Sequence, residues 1–322
     1  MPLLAAQALV KQFASSKTFG RSAPPIQAVN GVDIAIESSE TLGLVGESGC
    51  GKSTLARLLG LIEAPDRGLI RLADQDVTTL SSRQLKPLRR RVQMVFQDPF
   101  SSLNPRLSVA SILAEPLQVH RIGTAQERRE RCAALLQSVG LDPAGLTRYP
   151  HEFSGGQRQR IAIARALALE PELIIADEPL SALDVSVQSQ ILNLLAELKE
   201  RLGIAYLLIS HDLVIVNHLA DRVAVMYLGR IVETAPRHSL FRNPAHPYTR
   251  SLLDAVPVIG RRRRTTPTVA DFHGPSNPLT GCPYHPRCSK AQELCREHLP
   301  KLTPAPQRPP EHRVACHFPA AR

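Results

Sequence analysis

Short runs of apolar, often β-branched residues recur over the first 255 positions, separated by stretches whose apolar residues fall every three or four places. That alternation predicts a parallel sheet covered by helices. Thr41–Val45, Val92–Phe96, Leu173–Ala176 and Ala205–Ile209 are apolar almost throughout, as central strands buried on both faces must be. Pro2–Val10 reads as a first strand, since it has neither the basic leader nor the cleavage pattern of a secretion signal. Between Leu183 and Gly203, residues Ile191, Leu194, Leu195, Leu198 and Leu202 keep helical spacing, and the glycine stops the helix. Positions of about 100–165 carry helical stretches, one over Gln126–Val139, and few strand signals, which predicts a helical insertion. From Pro257 the periodicity fades into a Pro-rich, turn-rich stretch that opens with the basic run Arg261–Arg264. Nowhere does an apolar run reach the ~18 residues of a spanning helix, so work at a membrane would require docking onto other chains.

A length of 322 residues suits one large α/β unit plus an appendage. Lys and Arg total 39 against 29 Asp and Glu, a balance of +10. That excess suits phosphate-rich ligands, nucleic acid or an anionic membrane face, and also a plain solvated surface, so it selects none of them. Cysteine narrows the picture more. Four of the six thiols, Cys282, Cys288, Cys295 and Cys316, fall in the tail, which without a secretory signal points to metal before disulfides. Their separations of five, six and twenty residues match neither a paired C-x₂-C ribbon nor a ferredoxin run. Zn²⁺ and an iron–sulfur cluster suit four thiolates equally, with His285, His312 and His317 as substitutes. The tail builds little apolar core of its own, which makes such a staple its expected source of stability.

The densest chemistry lies at Gly46-Glu-Ser-Gly-Cys-Gly51-Lys52-Ser53, a G-x-x-x-x-G-K-[ST] loop between a strand ending at Val45 and a helical run over Lys52–Leu61. Backbone N–H groups in such a loop face phosphate oxygens, helped by the helix N-terminus. Lys52 supplies charge for the β- and γ-phosphates, Ser53 a hydroxyl for Mg²⁺, and Thr54 a contact to the α-phosphate. Asp177 and Glu178 end a buried strand, where open parallel sheets bind ligands. Asp177 is placed to hold Mg²⁺ and Glu178 to orient an attacking water. His211 follows another strand and faces the γ-phosphate side, and Gln97 ends a third, where an amide coordinates Mg²⁺ or water. Ser154-Gly155-Gly156-Gln157 precedes a helical run over Arg158–Leu169 and forms a second phosphate-binding surface. Since the chain already holds one complete phosphate loop, that surface serves a nucleotide on another subunit.

With these residues quoted, the first 255 positions resemble the ABC ATPase family, whose motifs occur here in family order: loop 46–53, Gln97, Ser154–Gln157, Asp177–Glu178 with Ser181-Ala-Leu-Asp184, and His211. The resemblance implies an α/β P-loop NTPase with a mostly parallel central sheet, an antiparallel β subdomain, a helical subdomain at about 100–165 and a small Cys-rich extension at 256–322. It implies a catalytic set of Glu178, His211, Lys52 and Gln97, with Mg²⁺ on Ser53, Gln97 and Asp177. ATP contacts would come from Phe13, Gly46, Ser48, Gly49, Cys50, Gly51, Thr54 and Asp184 in addition. Phe13 stands where the family stacks an aromatic on adenine, although a core position in the first strand fits it as well. It also implies a head-to-tail dimer with a second ATPase subunit, a paralogue or a second copy, each ATP being shared between one loop and the other subunit's Ser154–Gln157.

Phe96-Gln-Asp-Pro-Phe-Ser-Ser-Leu-Asn-Pro105, Ala182-Leu-Asp-Val-Ser186 and His246-Pro-Tyr-Thr-Arg250 are similar to the di- and oligopeptide and nickel uptake branch, particularly the second ATPase of dipeptide systems. Phe153 where Leu is usual, Leu180 where a smaller residue is common, and the Arg261–Arg264 run depart from that branch without removing a catalytic group. The branch implies a [4Fe–4S] cluster on Cys282, Cys288, Cys295 and Cys316, with Zn²⁺ as the alternative. Its implied partners are two transmembrane permeases, docked near Phe100–Arg106, and a periplasmic or lipid-anchored substrate-binding protein. The implied place is the cytoplasmic face of the inner membrane, as a peripheral subunit touching membrane only through permeases and nucleic acid not at all. Nickel or glutathione are alternative cargoes. A soluble ABC ATPase acting on nucleic acid or ribosomes fits less well, lacking here a second cassette or a long coiled coil, and a pure metal-binding module has no use for five nucleotide motifs.

Overall fold

The structure, a computed structural model, describes residues 1–14, 25–98, 102–181, 183–255 and 280–320. Phe100 and Arg261–Arg264 lie outside the described residues.

Two sheets divide the strands. The smaller is antiparallel: β1 (Leu4–Phe13) pairs with β2 (Ile26–Ile36) and β4 (Arg67–Leu72), and β5 (Gln75–Asp76) extends its edge. β1 runs three residues past the expected end at Val10, so that Phe13 pairs with Ile26.

The larger sheet contains every central strand the apolar runs predict. β3 (Thr41–Val45) lies between β8 (Ala205–Ile209) and β9 (Arg222–Tyr227), and β7 (Leu173–Asp177) and β6 (Val92–Val95) continue beyond β8, all in parallel. β3, β7 and β8 are buried at every residue, because helices cover one face and the helix Lys52–Leu59 with the smaller sheet covers the other. β10 (Arg230–Pro236) then turns antiparallel to β9. Two short strands from the tail, β11 (Thr303–Pro304) and β12 (Arg313–Val314), add to β10 and bring the sheet to eight strands.

That addition corrects the expectation of a tail without core. Cys282, Tyr284 and Cys295 join the main apolar cluster of the molecule, and the Tyr284 ring packs against Tyr227 at 5.3 Å and Tyr248 at 5.4 Å. Tertiary packing onto β9 and β10 supplies what local periodicity does not.

The helices follow their patterns closely. α1 (Lys52–Leu59) packs between the two sheets, against β1 and β2 on one side and β7 on the other, and α2 (Ser82–Arg89) packs on β6. α3 (Val109–Val119), α4 (Ala125–Ser138) and α5 (Gly155–Leu167) make the helical insertion, packed around Ile112, Leu113, Leu136, Ile161 and Phe153. α5 starts three residues before the expected Arg158, at the two glycines, because Ser154 caps it. α6 (Val185–Leu202) buries Ile191, Leu194, Leu195 and Leu198, worth roughly 2 kcal/mol each, and stops at Gly203 in the left-handed region. α7 (Leu213–Leu219), α8 (Arg237–Arg242), α9 (Pro247–Asp254) and α10 (Glu293–Glu297) complete the set among the described residues. None of these helices is long and apolar enough to cross a membrane.

Candidate nucleotide site

β3, β6, β7 and β8 all point their carboxyl ends the same way, so the segments leaving them meet at one sheet edge: Gly46–Ser53, Gln97, Asp177–Glu178 and Ser210–His211. Position along the sheet, and nothing in local sequence, brings these four stretches together.

The loop wraps its own lysine. Lys52 is buried, and its Nζ donates to the carbonyls of Gly46 at 2.8 Å and Glu47 at 2.9 Å. Gly51 is required at the start of α1: its φ is 108°, and a Cβ there would lie 2.0 Å from the Ala28 carbonyl. The same contact sets β2 against the loop, and β2 carries Ile26, the partner of Phe13. Phe13 is 39% exposed, which rejects a core role, and the Lys11 ammonium stands 5.9 Å from its ring centroid. Cys50 is buried and burial pushes its thiol up; Ser48 and Gly49 are exposed, and Ser53 and Thr54 half-buried.

Across the edge, Ser53 Oγ donates to Asp177 Oδ1 at 3.2 Å. Burial raises the Asp177 carboxyl, opposed by the Ser53 hydrogen bond and reinforced by neighbouring Glu178. A buried acid held above its usual range beside a hydroxyl is a site that a divalent cation relieves.

Glu178 has φ +47°, a left-handed conformation that costs a non-glycine residue roughly 1–3 kcal/mol. Its N–H donates to the Ile209 carbonyl at 3.0 Å, which pins the turn onto β8. In return the carboxylate is aimed out of the sheet: Oε2 accepts from Gln97 Nε2 at 3.0 Å and lies 3.3 Å from His211 Nδ1. A cleft lined by Glu178, Ser181, Gln188, Ser210 and His211 opens beside it. One carboxylate with an amide and an imidazole on the same oxygen is suited to holding a water in a fixed direction.

The Ser154–Gln157 segment sits elsewhere. Ser154 Oγ accepts from the Gln157 N–H and the Gln157 side chain returns the bond to the Ser154 N–H, a reciprocal cap that leaves the N-terminus of α5 outward. A Cβ on Gly156 would meet Val187 Cγ1 at 2.4 Å, so α5 seats directly on the start of α6, next to Asp184, which is exposed.

One residue of the phosphate loop and two that touch it carry contacts that sequence reasoning does not predict. Glu47 filled a variable position of the motif, and Tyr248 and Arg287 lie about two hundred residues away: the Glu47 N–H donates to Tyr248 Oη at 2.8 Å, and Arg287 makes two hydrogen bonds to the Glu47 carboxylate. No local signal could have paired them.

The four tail cysteines do converge. Cys282, Cys288, Cys295 and Cys316 line one small cavity with His285 and His317. All four are free thiols. Burial pushes Cys282, Cys288 and Cys316 up, Cys316 to about 11, with the neighbouring thiols adding to it. Among the described residues, no group of three or more His, Cys, Asp or Glu side chains stands in metal-ready geometry. By type alone, four soft sulfur donors on one cavity match a thiophilic centre. His312 is not a substitute ligand: it is fully buried, with Nδ1 on Ser239 Oγ at 2.7 Å and Nε2 on Glu233 Oε1 at 2.6 Å.

A phosphate loop on the central strand, paired acids two strands away and a capped glycine helix start define an ATPase of the ABC class. Comparison agrees. Residues 29–181 match the family model "ABC transporter" and residues 232–295 the model "Oligopeptide/dipeptide transporter, C-terminal region". The chain is 50% identical to the oligopeptide transport ATP-binding protein AppF of Bacillus subtilis, over 94% of this chain and 93% of that protein. It is 48% identical to the di/tripeptide transport ATP-binding protein DppF of Pseudomonas aeruginosa, over 98% and 97%. Among solved structures, the dimeric ATP-binding cassette MJ0796 in a post-hydrolysis state bound to ADP and Pi aligns with a TM-score of 0.65 at 28% identity, covering 73% of this chain and 98% of that one. The chain belongs to the ABC transporter ATP-binding proteins, in the oligopeptide/dipeptide transport family.

Proposed function

We propose that this chain binds and hydrolyses Mg-ATP to drive import of di- or oligopeptides through a membrane transporter. The observation that carries the reading is the meeting of Lys52, Ser53 and Asp177 on one side and Gln97, Glu178 and His211 on the other at a single sheet edge. Gly46–Thr54 cradle the phosphates and Phe13 stacks on adenine. Lys52 leaves its carbonyl partners for the β- and γ-phosphates. Ser53, Asp177 and Gln97 hold Mg²⁺, and Glu178, oriented by Gln97 and His211, directs the water. Ser154, Gly155, Gly156 and Gln157, with Asp184, serve the ATP of a second ATPase subunit set head to tail. The dimeric state reported for MJ0796 with ADP and Pi supports pairing with a second subunit.

Residues 1–255 form the nucleotide-binding domain and 256–322 a Cys-rich extension. The partners are two permeases and a substrate-binding protein, and the place is the cytoplasmic face of the inner membrane. The peptide names of AppF and DppF support the cargo class.

Lys52→Ala tests the reading directly. The variant is expected to bind Mg-ATP at least about tenfold more weakly than the parent in nucleotide titrations, since a charge-assisted phosphate contact is lost. Unchanged affinity would reject the loop as the ATP site.

The four cysteines hold a [4Fe–4S] cluster in this reading. Cys282, Cys288, Cys295 and Cys316 supply four soft, cavity-facing donors, and the cluster supplies thiolate-bound iron there. Anaerobic preparations are expected to be brown with about four iron atoms per chain. Colourless protein with stoichiometric zinc would reject it.

A further inference from the structure

Glu47 is held at three points. Its carbonyl takes the Lys52 ammonium, its N–H donates to Tyr248 Oη, and its carboxylate receives both Arg287 nitrogens, Nη1 to Oε2 at 2.8 Å and Nη2 to Oε1 at 2.9 Å. Only the first of these comes from the loop itself. Tyr248 is fully buried in α9, its N–H bonded to His246 Nδ1, so its hydroxyl cannot drift. Arg287 lies between Tyr284 and Cys288, on the segment that walls the thiol cavity. Its guanidinium sits 5.8 Å from the Tyr284 ring centroid and 6.0 Å from that of Tyr227, the last residue of β9. A planar fork set near two aromatic rings and bonded at both nitrogens to one carboxylate is oriented by all three, although the pair is partly exposed.

We propose that the C-terminal extension is a working arm of the nucleotide site: Arg287, seconded by Tyr248, is a positioning residue that fixes the entry turn of the phosphate loop through Glu47. The proposal rests on the nucleotide-site reading above. Lys52 must give up the Glu47 carbonyl to reach a triphosphate; Arg287 and Tyr248 keep that residue in place when it does, so the loop amides meet the phosphates already arranged. ATP affinity is therefore set partly from the tail, by a residue whose neighbour, Cys288, lines the thiol cavity.

The test uses the full-length chain, fluorescent ATP titration in Mg²⁺, and steady-state kinetics. Arg287→Ala is expected to weaken Mg-ATP binding and raise KM about tenfold with kcat nearly unchanged, the pattern of lost ground-state positioning. Arg287→Lys should recover only part of it, because a point charge cannot replace a bidentate fork. Glu47→Gln reads the same bond from the loop side, whether or not the arginine variants fold. The reversed pair Glu47→Arg with Arg287→Glu should regain most of the affinity. Arg91→Ala is the control, since Arg91 makes an equally bidentate pair with Glu172 at the opposite edge of the sheet; it should leave ATP affinity at the parent value. Parental affinity in Arg287→Ala or in Glu47→Gln, or an equal loss in Arg91→Ala, overturns the proposal. Failure of the unaltered chain to bind Mg-ATP would instead sink the nucleotide site, and this inference with it.

Discussion

Glu178→Gln is expected to lower ATP turnover by at least about 10²-fold while Mg-ATP still binds, the magnitude of one lost general-base contribution. The amide keeps the size of the carboxylate, and its oxygen still accepts from Gln97, which now sits 3.0 Å from Oε2. What disappears is the negative charge that pulls a proton from water; the contact of this oxygen with His211 Nδ1 at 3.3 Å is uncharged in the amide. Metal binding should not suffer. Burial is the chief reason the Asp177 carboxyl is raised, but Glu178 adds to it, so removing that charge eases ionisation of Asp177. Bound, unhydrolysed ATP should then accumulate in a closed dimer, visible as a doubled mass in native sizing with ATP and absent without it. Parental turnover in this variant would remove Glu178 from the water-directing role.

His312→Ala is the second large effect, and it concerns stability. Glu233 and His312 are both fully buried, and the Glu233 carboxylate also accepts from the N–H groups of Ala245 at 2.6 Å and His246 at 2.9 Å. Burial alone would raise this carboxyl; the His312 bond and the two amides outweigh it and hold it below the usual range. Deleting the imidazole strands a buried carboxylate, at a cost of about 3–5 kcal/mol. The melting temperature should fall by roughly 10 °C. β10 pairs with β12 at Glu233 itself, so the tail strands should come away first, with hydrogen exchange at 313–315 rising before that of β3 or β8.

Acid reaches the same region. His246, buried, is pushed down to about 4 from 6.5, so the unfolded chain binds the extra proton and stability declines as pH falls through that interval. The Glu233 contribution, present above the ordinary carboxylate range, is lost at still lower pH. In His312→Ala the Glu233 part of this acid loss should vanish. A parental melting temperature would show that the pair does not secure the tail.

Much of the ATPase was legible in the residues, for identifiable reasons. β3, β7 and β8 run apolar without alternation because both their faces are buried, one against helices and the other against α1 and the smaller sheet, and that pattern needs no partner to be recognised. The phosphate loop reads clearly because its glycines answer a local demand: at Gly51 a side chain would strike the Ala28 carbonyl. The Ser154–Gln157 cap and the stop at Gly203 are likewise short-range bonds between neighbours. β1 is instructive in the other direction: its extension to Phe13 follows from pairing with Ile26, which no single-strand pattern announces.

The tail shows the same principle in reverse. Its apolar residues have no period, so it looked coreless, yet Tyr284 and two of its cysteines complete the main core, and its last strands lengthen the large sheet. His312 looked like a metal ligand by type and proximity in sequence, whereas burial beside Glu233 gives both its nitrogens other partners.

Wherever a role depends on atoms within a few residues of one another, as in the phosphate loop and the helix caps, the amino-acid order was sufficient, because backbone geometry brings such atoms together on its own. Only the tertiary structure decided that Gln97 and His211 share one oxygen of Glu178, and that Arg287 reaches Glu47 across 240 positions of chain. Contacts of that kind are made by strand order in the sheet and by burial, which belong to the folded whole.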